Sequence, residues 1–93
     1  MAIQYAIFRY AAGPEPAIAI EYRTRKDAAR LAAERMVWDM LAADALLDRP
    51  VALTVMDKAR NAIPDKVTRD GKCVVRLRDL HSSPCVVINW IVS

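Results

Sequence analysis

The 93-residue sequence is poor in the residue types on which most enzyme sites are built. It has one histidine, two cysteines, two glycines and three serines. Two glycines cannot form the glycine-rich loop that holds a phosphate, and no serine lies in a G-x-S-x-G motif. Cys73, His81 and Cys85 lack the paired spacing of zinc ligands. The sequence therefore predicts a protein that is not an enzyme and that uses no metal or other cofactor.

One alternative gives Cys85 a catalytic role. His81 lies four residues before it, across a Ser-Ser-Pro turn, so a Cys–His contact is open to it. Such a site would have a thiol that is unusually reactive near neutral pH. We favour the other interpretation, because Cys85 begins an apolar segment, where cysteine usually packs as a small core residue.

Long apolar runs are also absent. The N-terminal stretch MAIQYAIFRY lacks the basic start and apolar core of a signal peptide. No run approaches the ~20 residues that cross a membrane. We therefore expect a cytoplasmic protein with two free thiols, without a membrane or a small-molecule substrate as partner. The length predicts one compact domain, residues 1–93.

Alternating apolar residues predict two strands at the N-terminus. Residues 3–10 and 17–23 should pair as a hairpin, with Ile18, Ile20 and Tyr22 turned towards the core. Near the C-terminus, the apolar run at residues 85–92 is typical of a strand in the middle of a sheet.

The second half of the sequence predicts further strands. Residues 51–57 form a β-prone segment, and Asp70-Gly71 favours a hairpin turn between residues 67–69 and 72–78. Residues 25–47 predict one long helix, since they contain many good helix formers and no Gly or Pro, with Thr24 as its cap. The fold prediction is α+β: a four- to five-stranded, mostly antiparallel sheet with one long helix packed on one face, in ββαβββ order.

The predicted helix has two apolar sides at 100° per residue. One stripe should pack on the sheet, and its members are Ala29, Ala32, Ala33, Met36, Met40, Ala43 and Leu47. Leu31 and Trp38 fall nearly opposite this stripe, with Leu41 at the border. Either loops of the chain cover Trp38, such as the Gly- and Pro-containing loop at residues 11–16 or the polar loop at residues 58–66, or Leu31, Trp38 and Leu41 bind a protein partner or a second copy.

One helix cannot cover both faces of such a sheet. If Val75 and Leu77 point to the helix, the outer face carries Phe8, Tyr10 and the two arginines Arg76 and Arg78. That face is either solvated, as is common in antiparallel sheets, or the contact surface of a dimer.

The net charge of +3 lies within one segment, because residues 57–81 contain seven basic and four acidic residues. Basic residues beside aromatic ones on a sheet face hold single-stranded nucleic acids. An alternative function is therefore direct nucleic-acid binding by the basic 58–78 region. The contacts, to nucleic acid or to an acidic partner, would be Lys58, Arg60, Lys66, Arg69, Arg76 and Arg78. The four acids favour an ordinary solvated segment instead.

The segment TRKDAARLAAERM, residues 24–36, resembles the strand-to-helix step of several small accessory proteins, including some phage-encoded inhibitors of CRISPR complexes. The likeness consists of a threonine followed by alanines at helical spacing. It implies a small phage or bacterial protein that occupies a surface of something larger. The predicted function is a non-catalytic binding protein that acts by protein–protein contact, as an inhibitor or accessory subunit of a larger, nucleic-acid-handling complex.

Overall fold

The fold combines a four-stranded sheet with two helices in a computed structural model that describes residues 2–13 and 16–93. Its elements are β1 (Ile3–Tyr10), β2 (Ala19–Arg23), α1 (Lys26–Ala42), α2 (Arg49–Arg60), β3 (Gly71–Arg76) and β4 (Cys85–Val92). The strand order is β2-β1-β4-β3, and all neighbours are antiparallel. The α+β class is therefore confirmed, but the element order is ββααββ. Part of the predicted loop at residues 11–16 lies outside the described residues, namely residues 14 and 15.

The two central strands are β1 and β4, which pair along their whole length. Tyr5 lies opposite Trp90 and Ile7 opposite Ile88, and all four side chains are buried on the side of the helices. The β1–β2 hairpin and the central position of the last strand are confirmed. Period-two alternation and an apolar run identified these strands because their side chains meet the core at regular intervals.

The predicted strand at residues 51–57 is wrong, because this segment lies within α2. Pro50 is in the first turn of the helix. Backbone N–H groups in the first turn make no intrahelical hydrogen bond, so the absence of an N–H in proline costs nothing there. Val55, Met56 and Ala59 are buried at helical spacing, and α2 packs against α1 and β3. The β-branched residues favour a strand locally, but the helix buries one whole side of the segment.

The helix α1 is shorter than predicted, since it ends at Ala42. Asp44 accepts the backbone N–H of Leu46 at Oδ1, at 3.1 Å, and its Oδ2 accepts a bond from Arg78 at 2.9 Å. An aspartate that bonds the backbone two residues on offers the chain a turn in place of another helical turn. The predicted Thr24 cap is also wrong: the N-cap is Arg25, and it makes no side-chain capping bond.

The stripe of α1 predicted to pack on the sheet is mostly confirmed. Its buried members are Ala29, Ala32, Ala33, Met36 and Met40. Ala43 is exposed and Leu47 is half-buried, and both lie beyond the end of the helix. The alanines allow a close approach to the sheet, and the flexible methionines fill the space that remains.

The predicted orientation of β2 is wrong. Ile18, Ile20 and Tyr22 are exposed, because the register places Arg23 opposite Tyr5 and so turns the other set of residues towards the helices. Of that set, Ala19 packs against the core. A shift of one residue exchanges the two faces of a strand, and hydrophobic alternation alone does not reveal which set an edge strand buries.

The predicted hairpin at Asp70-Gly71 is wrong as well. Asp70 instead accepts the backbone N–H of Val92 at 2.7 Å, which fastens the end of β4. Gly71 lies against the indole ring of Trp90, and a Cβ at this position would be 2.6 Å from its Cε2 and Nε1 atoms. Glycine is required here because the ring occupies the space of a side chain.

We predict that Gly71→Ala lowers the free energy of unfolding by about 1–3 kcal/mol, because the added methyl group must displace a buried ring. Urea unfolding followed by circular dichroism measures the change. In a Trp90→Leu background the same substitution should cost less. An equal cost in both backgrounds would show that the contact with the ring is not the cause.

Candidate partner-binding groove

An apolar groove of about 380 Å³ runs between α1 and α2. It is lined by Trp38, Leu41 and Ala42 from α1 and by Arg49, Ala52, Leu53 and Met56 from α2. We call these seven residues the interhelical groove. Six of the seven side chains are apolar, so the groove offers little to a polar small molecule and much to an apolar side chain.

The helical repeat brings the groove residues together. Trp38, Leu41 and Ala42 are spaced i, i+3, i+4, and so share one side of α1. Leu41 is only 9% exposed and forms part of the floor, whereas Trp38 is 63% exposed and stands at the rim. Leu53 of α2 is also exposed. Alanines at two lining positions leave room for an incoming side chain.

Two of the three predicted partner-binding residues belong to this groove. Trp38 and Leu41 line it, while Leu31 is 56% exposed but does not. No segment among residues 2–13 and 16–93 covers Trp38 to the extent of burying it. Gly13, at the edge of the loop considered as a cover, donates its backbone N–H to Ser82 at 2.9 Å, which ties that loop to the β3–β4 connection.

Sequence reasoning misses the four α2 residues of the groove, because Ala52, Leu53 and Met56 lie in the segment predicted as a strand and Arg49 lies just before it. A helical signal was present in the sequence: Ala52, Val55, Met56 and Ala59 follow the i, i+3, i+4, i+7 spacing. The Asp48-Arg49-Pro50 stretch is also a typical helix start. Both signals competed with the β-branched content of the same residues.

Arg49 is the one charged residue of the interhelical groove. It makes no ion pair within the described part of the chain. It lies in the first turn of α2, where the helix dipole adds partial positive charge. This end of the groove therefore favours an acidic group on whatever enters it.

The predicted basic residues are distributed over several elements. Lys58 and Arg60 are in α2, Lys66 and Arg69 precede β3, and Arg76 ends β3. Arg60 pairs with Asp57 at 3.5 Å, and Arg78 with Asp44 at 2.9 Å.

Part of the basic region does converge. Lys66, Arg69 and Lys72 line one shallow depression beside the start of β3. The side chain of Arg76 lies instead on the sheet face away from the helices, at the level of Cys85. The structure therefore brings together three basic residues of the segment, of which Lys66 and Arg69 belong to the predicted set.

The two cysteines are free and face opposite sides of the sheet. Cys73 packs against the core, whereas Cys85 lines a depression on the outer face together with His81. No hydrogen bond between Cys85 and His81 is found in the described structure. Burial raises the pKa of the Cys85 thiol, and the charge of Arg76 opposes this in part. This shift is opposite to that of an activated nucleophile.

Among the described residues, no group of three or more His, Cys, Asp or Glu side chains is placed to hold a metal ion. Within the same part of the chain, no helix is long and apolar enough to cross a membrane.

Comparison of the chain with protein-family models, with curated proteins and with solved structures finds no match.

We predict that Cys85 reacts with iodoacetamide at pH 7 more slowly than a cysteine in an unstructured peptide. Its raised pKa leaves less thiolate at neutral pH, so the rate should increase only as the pH rises through that value. The measurement uses a Cys73→Ala variant, which has a single thiol. Arg76→Ala should slow the reaction further at neutral pH. A rate above that of the peptide would contradict the prediction and support the Cys–His alternative.

Proposed function

We propose that this chain is a small non-catalytic binding protein that acts by protein–protein contact, and that it holds an apolar segment of a larger protein in the interhelical groove. The observation that carries the proposal is the position of Trp38, the largest side chain of α1, which stands exposed at the rim of an apolar groove. Tryptophan is enriched at interaction hot spots because it buries a large area with few rotatable bonds.

The groove indicates the chemistry of the segment that it would bind. A channel between two helices suits an amphipathic helix, which inserts apolar residues spaced i, i+3, i+4. Trp38 and Leu53 would pack on its sides, and Leu41 beneath it. Arg49 at one end favours an Asp or Glu in the bound segment.

The role of inhibitor or accessory subunit rests on the sequence. Residues 24–36 resemble a segment of small phage-encoded inhibitors of CRISPR complexes, and the sequence lacks a recognisable catalytic motif. Under this proposal the chain acts by occupying a surface of a larger, nucleic-acid-handling complex. Blocking such a surface requires only affinity, which a few well-placed apolar side chains can supply.

We predict that Trp38→Ala weakens partner binding at least tenfold, about 1.4 kcal/mol or more. Wild-type chain and the variant are each incubated with an extract of the native host. Mass spectrometry then identifies the proteins that only the wild-type chain retains. The Kd of each purified candidate is then measured by calorimetry for both chains. Trp38 is exposed, so its truncation should change the free energy of unfolding by less than about 0.5 kcal/mol.

The matched control is Leu31→Ala, which truncates a similarly exposed residue of the same helix outside the groove. It should leave the Kd within about twofold of the wild-type value, since Leu31 does not line the groove. Equal Kd values for wild type and Trp38→Ala would overturn the groove as the contact surface. If Leu31→Ala weakens binding as much as Trp38→Ala does, the contact surface is the broader face of α1 that includes both residues.

A second candidate function is direct nucleic-acid binding, favoured by the convergence of Lys66, Arg69 and Lys72 on one depression. We predict in this case that a fluorescein-labelled oligonucleotide binds at low salt. Lys66→Ala with Arg69→Ala should then reduce the slope of log K against log salt by about 0.7 for each phosphate that the variant no longer neutralises. Arg35→Ala, an exposed basic residue of α1, is the control. Absence of anisotropy change at low salt rules the candidate out.

A further inference from the structure

The outer face of the sheet, turned away from both helices, has a middle row that is apolar in all four strands. Its middle row follows the strand order β2-β1-β4-β3 and consists of Ile20, Phe8, Val87 and Val74. The next row, in the same order, consists of Tyr22, Ala6, Asn89 and Lys72. A soluble antiparallel sheet that leaves a face to water usually makes that face polar. The middle row of this face instead has the pattern of a sheet that is covered.

The two edges of the outer face have complementary shapes. On β2, Ile20 and Tyr22 are 48% and 59% exposed, so their side chains stand free of their neighbours. Over β3 and β4 there is a depression of about 340 Å³, whose lining includes Lys72, Val74 and Val87. One edge therefore supplies projecting apolar groups, and the other supplies space for them.

The charged residues of this face lie at one edge. Among the described strand residues of the outer face, only Lys72 and Arg76 are charged, and both belong to β3. The opposite edge carries the aromatic ring of Tyr22, whose face attracts a cation. Positive charge and aromatic ring thus lie at opposite edges of the same surface.

We propose that the outer face binds a second copy of this chain, about a two-fold axis roughly parallel to the strands. Such a rotation exchanges the two edges of the sheet. Each row of residues keeps its position along the strand direction and so faces the same row of the partner. β2 of each copy then lies over β3 of its partner, and the projecting side chains enter the depression. The facing pairs are Tyr22 with Lys72, Ile20 with Val74, and Phe8 with Val87.

Electrostatics selects this axis over the other aligned packing. A two-fold axis across the strands reverses the rows and brings Arg76 over Lys72 of the partner, which places like charges together in a desolvated interface. The axis along the strands places β3 of the two copies, and with it their Lys72 and Arg76 side chains, at opposite edges of the interface. It also sets the Lys72 ammonium against the ring of Tyr22, a favourable cation–π contact.

The same face suits a second copy better than a nucleic acid strand. Its middle row has no polar side chain, so a polynucleotide would set riboses and phosphates against Ile20 and Val74. An identical sheet face buries these residues against others of their kind, at the ~10 Å spacing of packed sheets.

Sedimentation velocity over a concentration series tests the proposal. Wild-type chain should pass from a mass of 10.4 kDa to twice that value. Ile20→Asp should raise the dimer dissociation constant at least about tenfold, because a carboxylate would be desolvated against Val74 of the partner. Tyr22→Lys is a second disrupting variant, because it sets a like charge against Lys72 of the partner, and circular dichroism verifies that both variants remain folded. Leu31→Asp, at an equally exposed position of α1, should leave the dimer intact.

Two results would overturn the proposal: wild-type chain that stays at 10.4 kDa up to about 1 mM, and a dimer unaffected by Ile20→Asp. Monomeric wild-type chain that binds oligonucleotide, with loss on Ile20→Asp, would assign the face to nucleic acid instead.

A thiol cross-linking experiment tests the axis. The background carries Cys73→Ala and Cys85→Ala, and single variants are mixed in pairs with a short bifunctional reagent. Tyr22→Cys mixed with Lys72→Cys should give the heterodimeric product in high yield. A product from Arg76→Cys mixed with Lys72→Cys, and none from the first pair, would overturn the strand-parallel axis.

Discussion

The antiparallel pairing of β1 with β4 is the constraint on which the other features depend. It runs the full length of both strands and sets which side chains meet the helices. Tyr5, Ile7, Ile88 and Trp90 are directed to the core by this register, and Phe8 is directed to the outer face. The edge strands β2 and β3 extend the same rows outward. Both the hydrophobic core and the apolar outer face therefore follow from one set of backbone hydrogen bonds.

The break between α1 and α2 has consequences for function as well as for fold. Asp44 favours a turn after Ala42, and Pro50 is compatible with the first turn of the next helix. The chain can then fold α2 back along α1, which forms the interhelical groove beside Trp38. A single continuous helix would have left Trp38 on an isolated surface. The turn thus creates a concave apolar surface out of two convex ones.

The two proposed binding surfaces are compatible with each other. The interhelical groove lies in the helical layer, and the outer face lies on the opposite side of the sheet. A dimer formed through the sheet would therefore leave both grooves free, and would present two equivalent grooves to a larger assembly. Simultaneous contact through two linked sites increases the apparent affinity without any new type of contact.

The sequence by itself determined those elements whose hydrophobic pattern is compatible with only one type of secondary structure. These are β1, the apolar central β4 and the buried stripe of α1, because in each the pattern matches one type of secondary structure over several repeats. Tertiary structure decided the rest. The 51–57 segment satisfies both strand and helix patterns, and packing against α1 selected the helix. The register of β2 chose which of two apolar sets is exposed, and the position of α2 turned Trp38 from a residue on a convex face into the rim of a groove. Those outcomes depend on contacts between residues far apart in the chain, which local patterns do not contain.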